Sequence, residues 1–185
     1  PNFYELHNNI AIILQKIGKL DSAIEHLNEA LLINPSFTEA IHNLGSLYKE
    51  LGDFKKAYDC FESTLKNDSN YFEAHRSIGN LQMEMGFLDL SLISFKKVLE
   101  FNPNYIEVLN NLGSVYKDLG NFDESLEVFE RALAINPNYL EVLNNLGLTL
   151  IELERFSDAI VIYKKAIAIN PNYSYAYNNY GIALN

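Results

Sequence analysis

The strongest constraint on this chain is a phrase that it states twice almost word for word. Residues 102–113 read NPNYIEVLNNLG, residues 136–147 read NPNYLEVLNNLG, and 170–181 keep the frame as NPNYSYAYNNYG. The interval is 34 residues. Gly45, Gly79, Gly113, Gly147 and Gly181 keep the same interval, with Ala11 one period earlier. Pro1, Pro35, Pro103, Pro137 and Pro171 keep it too, and Ser69 alone departs. A fixed period of this length specifies an array of small units, because each unit must bury its apolar face against its neighbours. The units are 4–37, 38–71, 72–105, 106–139 and 140–173, with a partial sixth at 174–185, so that 1–185 is one array.

Within a unit the pattern resolves into two helices. Leu109, Leu112, Tyr116 and Leu119 recur at steps of three and four, the spacing of a helical apolar stripe. Gly120 breaks the stripe and Asn121 follows as a turn former. A second stripe runs from Ser125 through Leu126, Phe129, Ala132 and Leu133, and Pro137 ends it because proline has no amide proton to continue a helix. Asn2/Glu5, Ser36/Glu39, Asn70/Glu73, Asn104/Glu107 and Asn138/Glu141 have the spacing of a capping box, whereas Tyr175 replaces the glutamate in the last unit. The third unit, with Gln82, Met83 and Ser91, is the least regular.

The combination of Leu112, Gly113, Tyr116, Phe129, Ala132 and Pro137, repeated along the whole chain, resembles the tetratricopeptide repeat (TPR). The resemblance implies an all-α fold: tandem helix-turn-helix repeats forming a right-handed α-solenoid, or superhelix, with the first helix of each pair lining a concave groove. Leu27 and Tyr163 depart from the phenylalanine of the pattern, and Glu154 from a turn glycine. The small residues Ala23, Ala57, Ser91, Ser125 and Ala159 fall in one column, as the glycines do, where helices must approach closely.

On a helical wheel Glu107, Asn111, Ser114 and Asp118 lie about 150° from the apolar stripe, and in such a superhelix this sector faces the groove. Two residues before Ala11 and each glycine the chain carries Asn9, Asn43, Ser77, Asn111, Asn145 and Asn179; one residue earlier still stand Asn8, His42, Arg76, Asn110, Asn144 and Asn178. A carboxamide offers an acceptor and two donors, so a row of them can hold an extended peptide by its backbone. The NNLG frame is also similar to repeats of the O-linked N-acetylglucosamine transferase family, in which an asparagine ladder holds substrate protein. That resemblance implies Asn9, Asn43, Asn111, Asn145 and Asn179 as rungs, with Ser77 a gap. The same column also reads as a polar lattice between helices or a solvated surface. Three functions follow: a protein-interaction scaffold that binds an extended peptide or protein, the substrate-recruiting region of a larger glycosyltransferase-like enzyme, or a structural spacer or assembly hub whose partners dock on the convex side.

His42 and Arg76 are placed to meet an acidic side chain or a carboxyl terminus, and Lys49 and Lys117 beside Glu50 and Asp118 give the rim mixed charge. A clamp of Lys, Asn and Arg, as in chaperone-binding relatives, is incomplete here. His26 and Cys60 occupy equivalent places one unit apart, which is too sparse for a zinc site. His7 and His75 fall on the apolar stripe as packed histidines. No metal, cofactor or catalytic motif is expected. The net charge of −10, with no basic stripe, argues against nucleic acid. The longest apolar run, Ile10–Leu14, is too short to cross a membrane. Cys60 is the only cysteine, which excludes an internal disulfide. Tyr4, Ile10 and Ile13 at one end and Tyr175, Tyr177, Tyr180, Ile182 and Leu184 at the other lack capping helices. The reading is therefore of an excerpt from a longer array, whose ends self-associate in the isolated chain.

Overall fold

The computed structural model describes residues 3–184 and is all-α. Eleven helices follow one another among the described residues: α1 (Phe3–Lys16), α2 (Leu20–Ile33), α3 (Thr38–Glu50), α4 (Phe54–Asn67), α5 (Phe72–Glu84), α6 (Leu88–Phe101), α7 (Ile106–Asp118), α8 (Phe122–Ile135), α9 (Leu140–Glu152), α10 (Phe156–Ile169) and α11 (Ser174–Ala183). Odd-numbered helices are the first of each pair and even-numbered helices the second. Each is only three to four turns long, too short to be stable alone in water, so packing holds it. None of the described helices is long and apolar enough to cross a membrane.

The turns after α1, α3, α7 and α9 close in one way. In the second repeat the amide of Gly52 bonds to Lys49 O at 2.9 Å and that of Asp53 to Tyr48 O at 2.8 Å. This crossed pair is a Schellman motif, which needs a left-handed residue just past the helix. Gly18, Gly52, Gly86 and Gly120 supply it with φ of 76°, 78°, 80° and 77°. The last turn keeps the same bonds, from Glu154 to Ile151 O and Arg155 to Leu150 O, but Glu154 must adopt φ 56°. A β-carbon in that region costs about 1–2 kcal/mol, part of which glycine returns as entropy of the unfolded chain. Glu154→Gly is therefore expected to raise stability by about 0.5–1 kcal/mol, read as a higher urea midpoint at unchanged slope. A lower midpoint would remove the strain argument.

The connection between pairs differs from the capping boxes expected from sequence. The residues before α3, α5, α7, α9 and α11 are Phe37, Tyr71, Tyr105, Tyr139 and Tyr173, and none makes a side-chain cap bond. The proposed cap residues stand one place too early. Their amides are already taken: Asn70 N bonds to Asp68 Oδ1 at 3.0 Å, Asn104 N to Asn102 Oδ1 at 3.2 Å and Asn138 N to Asn136 Oδ1 at 3.0 Å. Ser36 gives both its amide and its hydroxyl to Asn34 Oδ1. The C-cap Asn or Asp of the preceding helix thus makes an Asx turn and leaves the later glutamate no amide to cap. Asn2, of the first proposed box, lies outside the described residues. The same device explains why α4 stops in register although Ser69 stands where the other units have proline: Asp68 turns the chain by itself.

The helices pack as two compact units, Pro1–Met85 with α1–α5 and Gly86–Asn185 with α6–α11. The division falls inside 72–105, the repeat whose sequence is least regular. In the first unit the core gathers around Ala11, Leu27, Leu44 and Leu47, and around Phe61, Ile78 and Leu81. In the second it gathers around Leu109, Phe129, Leu143, Leu146 and Tyr163. The first helices are buried over a wider arc than one stripe: Val108 and Val115 are as inaccessible as Leu109. α3, α7 and α9 each touch second helices on two sides, so their polar sector is narrow.

Three members of the glycine column have one mechanical cause. A β-carbon on Gly45 would stand 2.7 Å from the Phe61 ring, one on Gly113 2.6 Å from Phe129, and one on Gly147 2.4 Å from Tyr163. The aromatic ring of the second helix lies directly on the backbone of the first. Where Ala11 replaces glycine, the opposing residue is Leu27, and both are buried. A smaller side chain therefore makes room for the extra methyl. Ser125, in the small-residue column, is fully buried and gives its hydroxyl to Gly113 O at 2.8 Å.

Candidate functional site

The polar sectors of successive first helices meet through rungs that step 35 residues. In the first unit Asn43 Nδ2 donates to Asn8 Oδ1 at 2.9 Å, and Asn8 Nδ2 donates to Glu39 Oε1 at 3.0 Å. His42 Nε2 lies 3.0 Å from Ser77 Oγ in the same register. In the second unit Asn145 Nδ2 donates to Asn110 Oδ1 at 2.9 Å and to Ser114 Oγ at 3.3 Å. Asn179 Nδ2 donates to Asn144 Oδ1 at 2.8 Å. A second row runs one to two turns further along: Gln15 Nε2 donates to Glu50 Oε2 at 2.9 Å, and Lys49 Nζ pairs with Glu84 Oε2 at 3.0 Å. The asparagines three residues before the column of Ala11 and the glycines (Asn8, Asn110, Asn144) accept, and those two before it (Asn43, Asn145, Asn179) donate, so each tie needs both.

The asparagines read from the sequence are placed unequally. Asn9 is exposed, Asn43, Asn111 and Asn145 are half-buried, and Asn179 is buried. Both donors of Asn145 are engaged, while its Oδ1 has only a long contact of 3.5 Å from Asn144 Nδ2. Asn179 Oδ1 accepts from Asn178 Nδ2 at 3.1 Å. The rungs are thus held in one rotamer by the lattice, and what they can offer outward is a carbonyl oxygen more than an amide proton.

His42 is not a cation at neutral pH. Its ring lies 5.3 Å from those of both Phe61 and Tyr71. Burial, reinforced by the Arg76 guanidinium, pulls the imidazole down from 6.5 to about 4. Of the two residues expected to meet an acidic group, only Arg76 carries charge. Lys49 is tied to Glu84, and Lys117 Nζ lies 2.7 Å from Asp118 Oδ1, so both are paired along the rim.

Around Asn145 the structure also assembles residues that the sequence reading left out of the site. Asn110, Glu141, Asn144, Asn145, Tyr173 and Tyr175 line a hollow of about 250 Å³ on the face shared by α7, α9 and α11. The signal was present: Tyr175 stands where each preceding unit has Glu, and Tyr173 closes the NPNY phrase. On the second-helix side, a hollow of about 400 Å³ includes Lys96, Leu112, Tyr116 and Arg131, and its counterpart one period on, about 240 Å³, includes Leu146, Leu150 and Val161.

The remaining histidines and the cysteine are structural in placement. His7 Nδ1 and His26 Nδ1 are 2.9 Å apart, so His26 is paired with its own hairpin partner and not with the next unit. His75 is buried with Nε2 3.2 Å from Ser69 O. Burial, with Asp59 adding to it, pushes the Cys60 thiol up to about 11 and keeps it protonated. No group of three or more His, Cys, Asp or Glu is placed to hold a metal ion among the described residues.

Models of the tetratricopeptide repeat match residues 4–37, 38–71, 104–172 and 162–185. Among solved structures, YrrB, a TPR protein with an unusual peptide-binding site, is 24% identical over 93% of this chain and 89% of its own, with a TM-score of 0.78. MamA from Desulfovibrio magneticus is 20% identical over 94% and 98%, with a TM-score of 0.85. A tetratricopeptide repeat protein from Parabacteroides merdae is 20% identical over 99% and 73%, with a TM-score of 0.88. At these identities the likeness is one of fold. No curated protein matches the sequence.

Proposed function

Since the chain is built of tetratricopeptide repeats over 4–71 and 104–185, we propose that it is a protein-interaction scaffold that holds an extended segment of a partner along the first helices of a unit. The observation that carries this reading is the pre-set asparagine lattice. Ties between neighbouring helices fix the carboxamides of Asn43 and Asn145 before any ligand arrives. Binding then costs less side-chain entropy than free rotamers would require. Each backbone contact contributes about 0.5–1.5 kcal/mol net, so affinity needs several rungs and is moderate. YrrB, with its peptide-binding site on the same fold, supports the class of ligand.

The test is a pair of substitutions. Asn111→Ala with Asn145→Ala is expected to weaken binding of unstructured twelve-residue peptides about tenfold. The helical signal should persist, because Asn145 is only half-buried. Unchanged affinity in a folded array would leave the rungs as lattice alone. The recruitment of substrate to a larger glycosyltransferase-like enzyme would use the same face, and the coding sequence on either side distinguishes the two readings.

The exposed apolar residues near the ends support a second proposal, self-association of the isolated chain. Ile13 and Ile17 are each 60% exposed, and Tyr175 and Leu184 are 67% and 58% exposed. Light scattering should show mass rising from micromolar to millimolar chain; a constant monomer mass would count against it.

A further inference from the structure

The hollow beside α9 has a chemistry that its counterpart in the first unit lacks. Glu141, in the first turn of α9, is exposed and forms no hydrogen bond or ion pair with the described residues. Its charge is felt on both sides. Tyr139 and Tyr173 hold their protons above the usual phenol range, through burial first and through carboxylates that include Glu141. Tyr173 and Tyr175 stand beside it with ring centroids 5.8 Å apart and planes tilted by 55°. Asn145 and Asn144, tied to Asn110 and Asn179, form a fixed polar floor. In the first unit the equivalent carboxylate, Glu39, accepts from Asn8, and His42 stands between Phe61 and Tyr71. There the carboxylate and the space are both occupied from within the fold.

We infer that the hollow bounded by Asn110, Glu141, Asn144, Asn145, Tyr173 and Tyr175 takes one basic side chain, lysine or arginine, from the segment lying along this face. The inference rests on the peptide-binding reading above and names what that segment must carry. A cation there meets an unpaired carboxylate and two aromatic rings, whose negative faces attract it. The chain already uses this contact internally: Lys56 Nζ lies 5.1 Å from the Tyr48 ring centre and Lys96 Nζ 5.5 Å from that of Tyr116. The replacement of the recurrent glutamate by Tyr175 matters twice. It supplies a wall, and it withholds a second carboxylate that would have needed a second cation. The net charge of −10 draws basic segments toward the face and repels acidic ones. An acidic side chain finds no cation in the hollow.

The experiment uses the full chain and four fluorescent, unstructured twelve-residue peptides that differ only at one central position, carrying Lys, Arg, norleucine or Glu. Anisotropy at low salt should rank Lys and Arg about fivefold or more tighter than norleucine, with Glu weakest. Glu141→Gln should remove most of that preference while leaving norleucine binding unchanged, and Tyr175→Ala should reduce it. Both residues are exposed, and circular dichroism verifies the fold of each variant. Equal affinity for the four peptides, or a basic preference that survives Glu141→Gln, overturns the pocket while leaving the peptide-binding reading in place. Failure of all four peptides to bind overturns that reading, and the pocket with it.

Discussion

Gly113→Ala is expected to lower stability by about 1–3 kcal/mol, although alanine is the better helix former by nearly 1 kcal/mol. The added methyl would stand 2.6 Å from Cε1 of Phe129 and 2.8 Å from two further ring atoms. Phe129 is fully buried in the core shared by α7–α10, so its ring cannot swing clear without displacing its neighbours. Two controls give the result its meaning. Gly181 occupies the same column, but no atom lies within 4 Å of the β-carbon it would gain. Gly181→Ala should therefore be neutral or raise stability by up to about 1 kcal/mol. Adding Phe129→Leu to Gly113→Ala should recover part of the loss, because Ala11 and Leu27 already form that smaller pair within this chain. Thermal unfolding followed by circular dichroism reads all three, and a loss of about 2 kcal/mol moves the midpoint by roughly 4–8 °C for a chain of this size. Equal effects at Gly113 and Gly181 would show that helix propensity, and not the ring, sets the column.

Acid should destabilise the first unit through His42. The unfolded chain takes up a proton near pH 6.5, whereas the folded imidazole resists protonation until about 4. Between those values the unfolded state binds more protons, so stability rises with pH across the window and falls as pH drops through it. The contribution is fully present above about 6.5 and absent below about 4. Its size is on the order of 2 kcal/mol, discounted because the ring is not wholly removed from solvent. His42→Asn should flatten the difference in urea midpoint between pH 7 and pH 4.5. Asparagine stands at this place in α1, α7, α9 and α11, so the backbone already accommodates it. A ring-proton NMR titration offers a direct check. The His42 signal should stay still from pH 7.5 to about 5, and a midpoint near 6.5 would mean that the imidazole is solvated and the linkage absent.

The sequence made the repeat visible because its columns are strict. The glycines, the turn residues and the stripe Leu109, Leu112, Tyr116 placed every hairpin, and the match to the tetratricopeptide repeat followed. Ser36 and Asn104 were misread for a physical reason. Ser/Asn followed by Glu three places later is a cap only if the first residue's amide is unpaired, and the Asx residue two places earlier had already bonded it. Val108 and Val115 fall outside the single stripe yet are fully buried, because α7 packs against neighbours on two sides. Asn145 and Asn110 appeared as two independent columns. That one donates to the other is a fact of the 35-residue step between helices.

What this sequence determined by itself is local and periodic: where the chain turns between helices, which residues must be small, and that units stack. Those features depend on contacts within one hairpin, which recur every 34 residues and so leave a record in the text. What only the tertiary structure decided is which polar groups remain available after stacking. His42 loses its charge to Phe61, Tyr71 and Arg76. Glu39 is taken by Asn8, and Glu141, identical in register, stays open beside two tyrosines. Hydrogen-bond capacity and desolvation are set by neighbours distant in sequence, and a repeated letter carries no trace of them.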